Sequence, residues 1–175
     1  GGAWDYYWGA FYPKGGKRTH DAQLFAWMNY ERLEFGFYIG EYGSEQRKRF
    51  VRNCKENREA VVNVLRESLA DDLFIYGRRE DFVGGPSGKS TKKQELSWNR
   101  WLENPEQEGI HVAVVLPKNQ VLQSSTETLI DQITKTFEQL FPLVFLATSD
   151  DPLPAIGEYL EIEEEEVEVN PEYSL

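Results

Sequence analysis

Cysteine occurs once, at Cys54, which excludes a disulfide within the chain and any zinc cluster built on cysteines. Histidine occurs twice, as His20 beside Asp21 and His111 at the head of an apolar run. Neither stands in an H-x-x-x-H or H-x-E pattern, and no E-x-K follows a strand-borne aspartate as metal-dependent nuclease chemistry would require. Cys54 falls on an apolar helical stripe, where a core role is expected rather than a nucleophile paired with histidine. The acid pairs Asp71–Asp72 and Asp150–Asp151 lie where elements end, the usual place for caps and turns. The domain is therefore expected to be non-catalytic, with no metal and no cofactor. No run of eighteen apolar residues and no charged-then-apolar leader occurs, so no membrane span is expected and a cytosolic setting fits.

Positive charge is scarce overall, the formal net charge being −11, but it is unevenly placed. Residues 44–100 hold thirteen basic and nine acidic side chains, whereas residues 101–175 hold two and sixteen. Seven of those acids fall in "EIEEEEVEVNPEYSL", residues 161–175, which has no basic residue and little apolar periodicity. Such a stretch buries too little surface to offset its ordering entropy and is read as a solvated acidic linker, leaving residues 1–160 as one domain. The chain opens "GGAW" without methionine, as expected of a piece of a longer protein.

What the chain does have is aromatic residues, 14% of the whole, and clear periodicities. "WDYYWGAFY" is expected to form a strand, "PKGGKR" a turn, and "AQLFAWMNYERLEFGFYIG" a hairpin turning at "NYER". In the second arm Leu33, Phe35, Phe37 and Ile39 alternate with Glu34, Gly36, Tyr38 and Gly40, the period of two expected when one face is buried. From Ser44 the period becomes helical, with Phe50, Val51, Cys54, Val61, Val62, Leu65 and Leu69 on one stripe broken only at Asn57 and Arg58. "DLFIYG" and "IHVAVVLP" predict two more strands, with a long loop over 77–97 between them. A second helix is expected from Ser124, capped by its hydroxyl with Glu127 completing a capping box, and Pro142 is expected to kink or end it. The whole predicts an α+β fold: an antiparallel sheet of about five strands with two amphipathic helices packed on one face.

"VGGPSGKS" at 83–90 looks like a phosphate-binding loop, since Gly88, Lys89 and Ser90 fit G-x-x-x-x-G-K-[ST]. Val83 stands where the first glycine must be, and a β-branched residue resists the required backbone angles, so a Gly/Ser/Lys surface loop is the reading adopted. The candidate contacts are instead to nucleic acid. Lys48, Arg52 and Lys55 share a helix face near the positive end of the helix dipole, a conflict that a bound phosphate would relieve; the bland account is a solvated face neutralised by Glu45, Glu56 and Glu59. Arg78, Arg79, Lys89, Lys92 and Lys93 then lead to Trp98 and Trp101. Cations interleaved with indoles suit a strand of DNA whose phosphates are held while a base stacks, although two tryptophans three apart on a short helix also suit a plug for the sheet. Trp8 is a second candidate for a stacking surface.

The stretch "WGAFYPKGGKRTHDAQLFAWMNYERLEFGFYIGEYGSEQRKRFVRN" resembles the opening of the N-terminal specificity region of McrB-like AAA+ restriction proteins. "TLIDQITKTFEQLFPLVFLATSDDPLPAIGEYL" is similar to that region's closing helix, and the tail ending "NPEYSL" to the linker into the motor. The resemblance implies a DNA-recognition domain of an antiviral defence system, often reading a modified base. It implies too a downstream AAA+ motor hydrolysing GTP or ATP, with its own P-loop, and a partner nuclease subunit. The rival reading is a protein-interaction domain that docks defence-complex subunits or a phage protein.

Overall fold

The computed structural model describes residues 5–69, 74–77 and 97–169. Within them the architecture is α+β, a five-stranded antiparallel sheet in the order β1-β2-β3-β5-β4. The strands are β1 (Tyr6–Phe11), β2 (Ala22–Asn29), β3 (Arg32–Ile39), β4 (Ile75–Gly77) and β5 (His111–Pro117). The hairpin turns where expected. Asn29 Oδ1 accepts from the backbone N–H of Glu31 at 2.9 Å and of Arg32 at 3.0 Å, so one amide side chain closes the turn and sets Met28 opposite Leu33 and Phe25 opposite Gly36.

Seven helices are described: α1 (Ser44–Glu56), α2 (Arg58–Leu69), α3 (Trp98–Glu103), α4 (Pro105–Glu108), α5 (Lys118–Gln123), α6 (Thr126–Thr148) and α7 (Leu153–Val169). The expected first helix is two, divided at Asn57, whose backbone N–H caps the first helix by donating to Asn53 O while its own carbonyl accepts from Val61 N. The helix expected from Ser124 begins one residue later, with Ser125 as cap accepting from Thr128 N at 3.2 Å; Ser124 closes the unforeseen α5 by donating to Gln120 O. The Glu127 carboxyl is held below the usual carboxylate range first by its backbone hydrogen bond and then by Ser125, with desolvation opposing both. The acidic stretch, expected to be a linker, continues α7 as helix to Val169, in keeping with the strong helix preference of glutamate.

Pro142 does not end α6, which runs on to Thr148. A proline lacks the N–H that would bond the carbonyl four residues earlier, here that of Glu138. The Tyr159 hydroxyl on α7 donates to Glu138 O at 3.2 Å and supplies the missing donor. A neighbouring helix thus repairs the gap.

The principal core lies between the sheet and the helices. Leu24, Leu33, Phe35, Phe37, Val112 and Val114 face Phe50, Leu65, Trp101, Leu140, Leu143 and Leu146, all fully or nearly fully buried. Trp101 therefore plugs the sheet, its Nε1–H donating to Gly109 O at 2.7 Å, where Gly109 adopts a φ of +98° that favours glycine. Asn53, 1% exposed, donates from Nδ2 to Leu146 O and Ser149 O, both at 2.9 Å, and ties α1 to the end of α6. No described helix is long and apolar enough to cross a membrane.

Candidate nucleic-acid interface

Side chains alternate along a strand, so the residues between the core positions emerge on the opposite face of the sheet, where no described helix packs. Tyr6, Trp8 and Ala10 of β1, Gln23, Phe25 and Trp27 of β2, Arg32, Glu34, Gly36 and Tyr38 of β3, and His111, Ala113 and Val115 of β5 share that side by register. Polar alternation in β3 predicts a solvated second face, yet Phe25, Glu34, Tyr38, Ala113 and His111 are all buried. A second, smaller aromatic core occupies it.

Its geometry is that of an aromatic platform. Trp8 stacks on Phe25 with ring centroids 5.0 Å apart and planes 7° from parallel, while Tyr38 meets both rings edge-on. His111 lies 5.1 Å from Phe25, and Tyr6 lies 6.1 Å from Trp27. Gly36 and Ala113 form the floor. A Cβ at Gly36 would lie 2.0 Å from Val112 O, so only glycine permits this approach of β3 to β5. The missing bulk also lets Glu34 and His111, which pair in register with Val115 and Tyr38, reach each other across the Gly36–Ala113 pair.

Glu34 Oε1 and His111 Nε2 are 3.0 Å apart, and Glu34 Oε2 lies 3.2 Å from Arg32 Nη2. Arg32 in turn sits over the Trp27 ring at 5.2 Å from its centroid. A carboxylate with 4% side-chain exposure thus has a guanidinium on one oxygen and an imidazole on the other, the pairing a buried charge needs. On this face the buried Gln23 Oε1 and Arg32 Nε have no hydrogen-bond partner among the described residues. The Gln23 amide must keep this orientation, because its Nε2 donates to Arg18 O at 2.7 Å and the flipped amide would set two oxygens together. Both atoms are closed to solvent, Gln23 being fully buried.

The same Gln23 hydrogen bond ties the β1–β2 loop to this face. Lys14, Lys17 and Arg18 on that loop are exposed, with no carboxylate at ion-pair distance among the described residues. The loop is anchored rather than loose: Asp21 accepts from Lys17 N and from Gln46 Nε2, and Tyr42 N donates to Thr19 O. Sequence patterns mark this segment only as a turn, place Trp27 in the core, and single out none of Phe25, Trp27, Arg32 or Tyr38 as a site residue. The available signal was that Phe25 and Trp27 share the parity of Gln23, opposite to that of Leu24.

The residues singled out from the sequence are distributed over both sides of the sheet. Lys48, Arg52 and Lys55 are exposed on α1, and Trp98 packs against the principal core, so all four lie on the helical side. Trp8 is half-buried on the aromatic face. Lys48 Nζ pairs with Glu45 at 3.0 Å, and Arg52 Nη2 pairs with Asp150 at 2.7 Å, which Arg49 also holds at 3.0 Å. Hydrogen bonds from Arg52 and then Arg49 keep the Asp150 carboxyl below its usual range. Lys55 has no carboxylate partner among the described residues. Arg78, Arg79, Lys89, Lys92 and Lys93, with the loop "VGGPSGKS", lie outside the described residues.

Among the described residues no group of three or more His, Cys, Asp or Glu side chains is placed to hold a metal ion. Cys54 is 1% exposed within the principal core, and burial pushes its thiol up to about 12. No protein-family model matches the chain, and no curated protein matches it.

Proposed function

We propose that this chain is a recognition domain that binds DNA through the aromatic face of its sheet, without itself performing chemistry on the strand. The observation that carries the reading is the joining of an aromatic platform to an exposed basic loop by the Gln23–Arg18 hydrogen bond. Unpaired or extruded bases stack on flat side chains, while lysine and arginine track the phosphates. Here the stacking surface is Trp8 with Trp27, and the phosphate contacts are Lys14, Lys17 and Arg18. The cations of α1 are secondary in this reading, because Lys48 and Arg52 already face carboxylates. The setting is that of the family resemblance: a specificity domain of a McrB-like defence protein, with an AAA+ motor and a nuclease acting downstream.

Fluorescence anisotropy with labelled single-stranded and duplex oligonucleotides, plain and base-modified, tests this at low salt. Replacing Lys14, Lys17 and Arg18 together by alanine should flatten the dependence of log affinity on log salt by about 2, at roughly 0.7 per phosphate contact on single strands. Trp8→Ala should cost about 1–3 kcal/mol of binding. Lys48→Ala should change neither quantity. Absence of binding to every oligonucleotide, or binding that depends on Lys48 and not on the loop, overturns the proposal. A protein-docking role is the second reading, favoured by the exposed Tyr7, Phe11, Leu122 and Ile130; flat DNA titrations with an intact fold would leave it standing.

A further inference from the structure

β1 is the outermost strand of the sheet, and no described strand pairs with its outer edge. Proteins guard such edges with lysine, proline, bulges or covering segments, because unpaired N–H and C=O groups recruit other strands. The sequence of β1, YYWGAF, carries no lysine, no proline and no charge of either sign. A Cβ at Gly9, near its centre, would meet nothing within 4 Å, so the helical side of the strand is uncovered there.

Exposed apolar side chains border the strand on the helical side of the sheet. Tyr7 is 75% exposed and Phe11 67%, both unusual for large aromatic groups. Met28, in register with Tyr7, is 39% exposed. On α6, Phe137 touches Phe11 at 5.7 Å between ring centroids, and Ile130, two turns earlier on the same side of that helix, is 56% exposed. The apolar strip therefore continues from the strand onto the helix.

The charges at the two ends of β1 name the occupant. Asp5 is exposed immediately before the strand, and the Lys14, Lys17 and Arg18 loop follows it. A second copy adding its own β1 antiparallel, about a twofold axis normal to the sheet, brings the acidic end of each strand toward the basic loop of the other. A parallel arrangement would set like charges together. We infer that β1 is the dimerisation edge of this protein, pairing with β1 of a second copy to make one continuous ten-stranded sheet. The twofold places both aromatic faces on the same side, so the pair presents a double platform.

Light scattering coupled to size-exclusion chromatography, over a range of concentrations and without nucleic acid, reads this independently of the DNA proposal. The expected result is twice the monomer mass, with Tyr7→Lys or Phe11→Lys returning the protein to monomer while circular dichroism stays unchanged. Leu122→Lys, on a side chain 74% exposed on α5, should leave the dimer intact. Should the lysine variants of β1 fail to fold, Asp5→Lys serves in their place, since it opposes the basic loop with like charge and should weaken the dimer, most at low salt. A monomer at all concentrations overturns the inference, as does a dimer indifferent to both β1 and Asp5 substitutions.

Discussion

Tyr159 and Pro142 show how a defect in one helix is met from another. The Glu138 carbonyl loses its helical donor because residue 142 is proline, and a phenol from α7 replaces it. A net hydrogen bond of this kind contributes about 1 kcal/mol. Tyr159→Phe should therefore lower unfolding free energy by about that amount in urea titrations. The same substitution made on Pro142→Ala, which restores the backbone N–H, should cost distinctly less. Equal costs in the two backgrounds would mean that the phenol does not compensate for the proline. Cys54 offers a second test at this scale: a thiol 1% exposed and pushed up to about 12 should react with a disulfide reagent only as fast as the protein opens. Labelling as rapid as that of a free thiol in native buffer would contradict its placement.

At the scale of elements, α1 is fastened to the end of α6 by Asn53 within and by Arg49 and Arg52 on Asp150 without. The Asp150 carboxyl is lowered in the folded protein, so its contribution is fully present above the unfolded value of about 3.9 and disappears as pH falls through the folded one. Asp150→Asn should lower the melting temperature at neutral pH and leave it unchanged in strong acid, with the difference shrinking at high salt because the carboxylate is exposed. A loss that persists in acid would assign the effect to packing. Periodicity revealed the elements whose register is dictated by burial, such as β3 with Leu33, Phe35, Phe37 and Ile39, and the stripe of α1 and α2. It was less informative where two neighbours compete for one role, as Ser124 and Ser125 do for the cap of α6, and where a distant partner repairs a local fault, as Tyr159 does for Pro142. The candidate site was harder still. Glu45 and Glu56 do face Lys48 and Arg52 locally, as the helix spacing suggests, but the nearer carboxylate on Arg52 comes from Asp150, and no local pattern announces a contact of that span.

For the molecule as a whole, the sheet separates two sets of side chains with different duties. The helical side holds the principal core, from Phe35 and Phe37 to Trp101 and Leu143. The other side gathers Trp8, Phe25, Trp27 and Tyr38 around a buried carboxylate. The DNA reading draws on the second side and the dimer on the edge shared by both, so substitutions at Lys14 and at Tyr7 should separate the two properties. The sidedness itself traces back to the turn at Asn29, whose amide oxygen receives both Glu31 N–H and Arg32 N–H. Were that turn to slip by one residue, Glu34 and Tyr38 would be carried toward the helices while Phe35 and Phe37 faced outward. A single amide thus decides which half of the hairpin becomes interior and which half is left to meet the outside world.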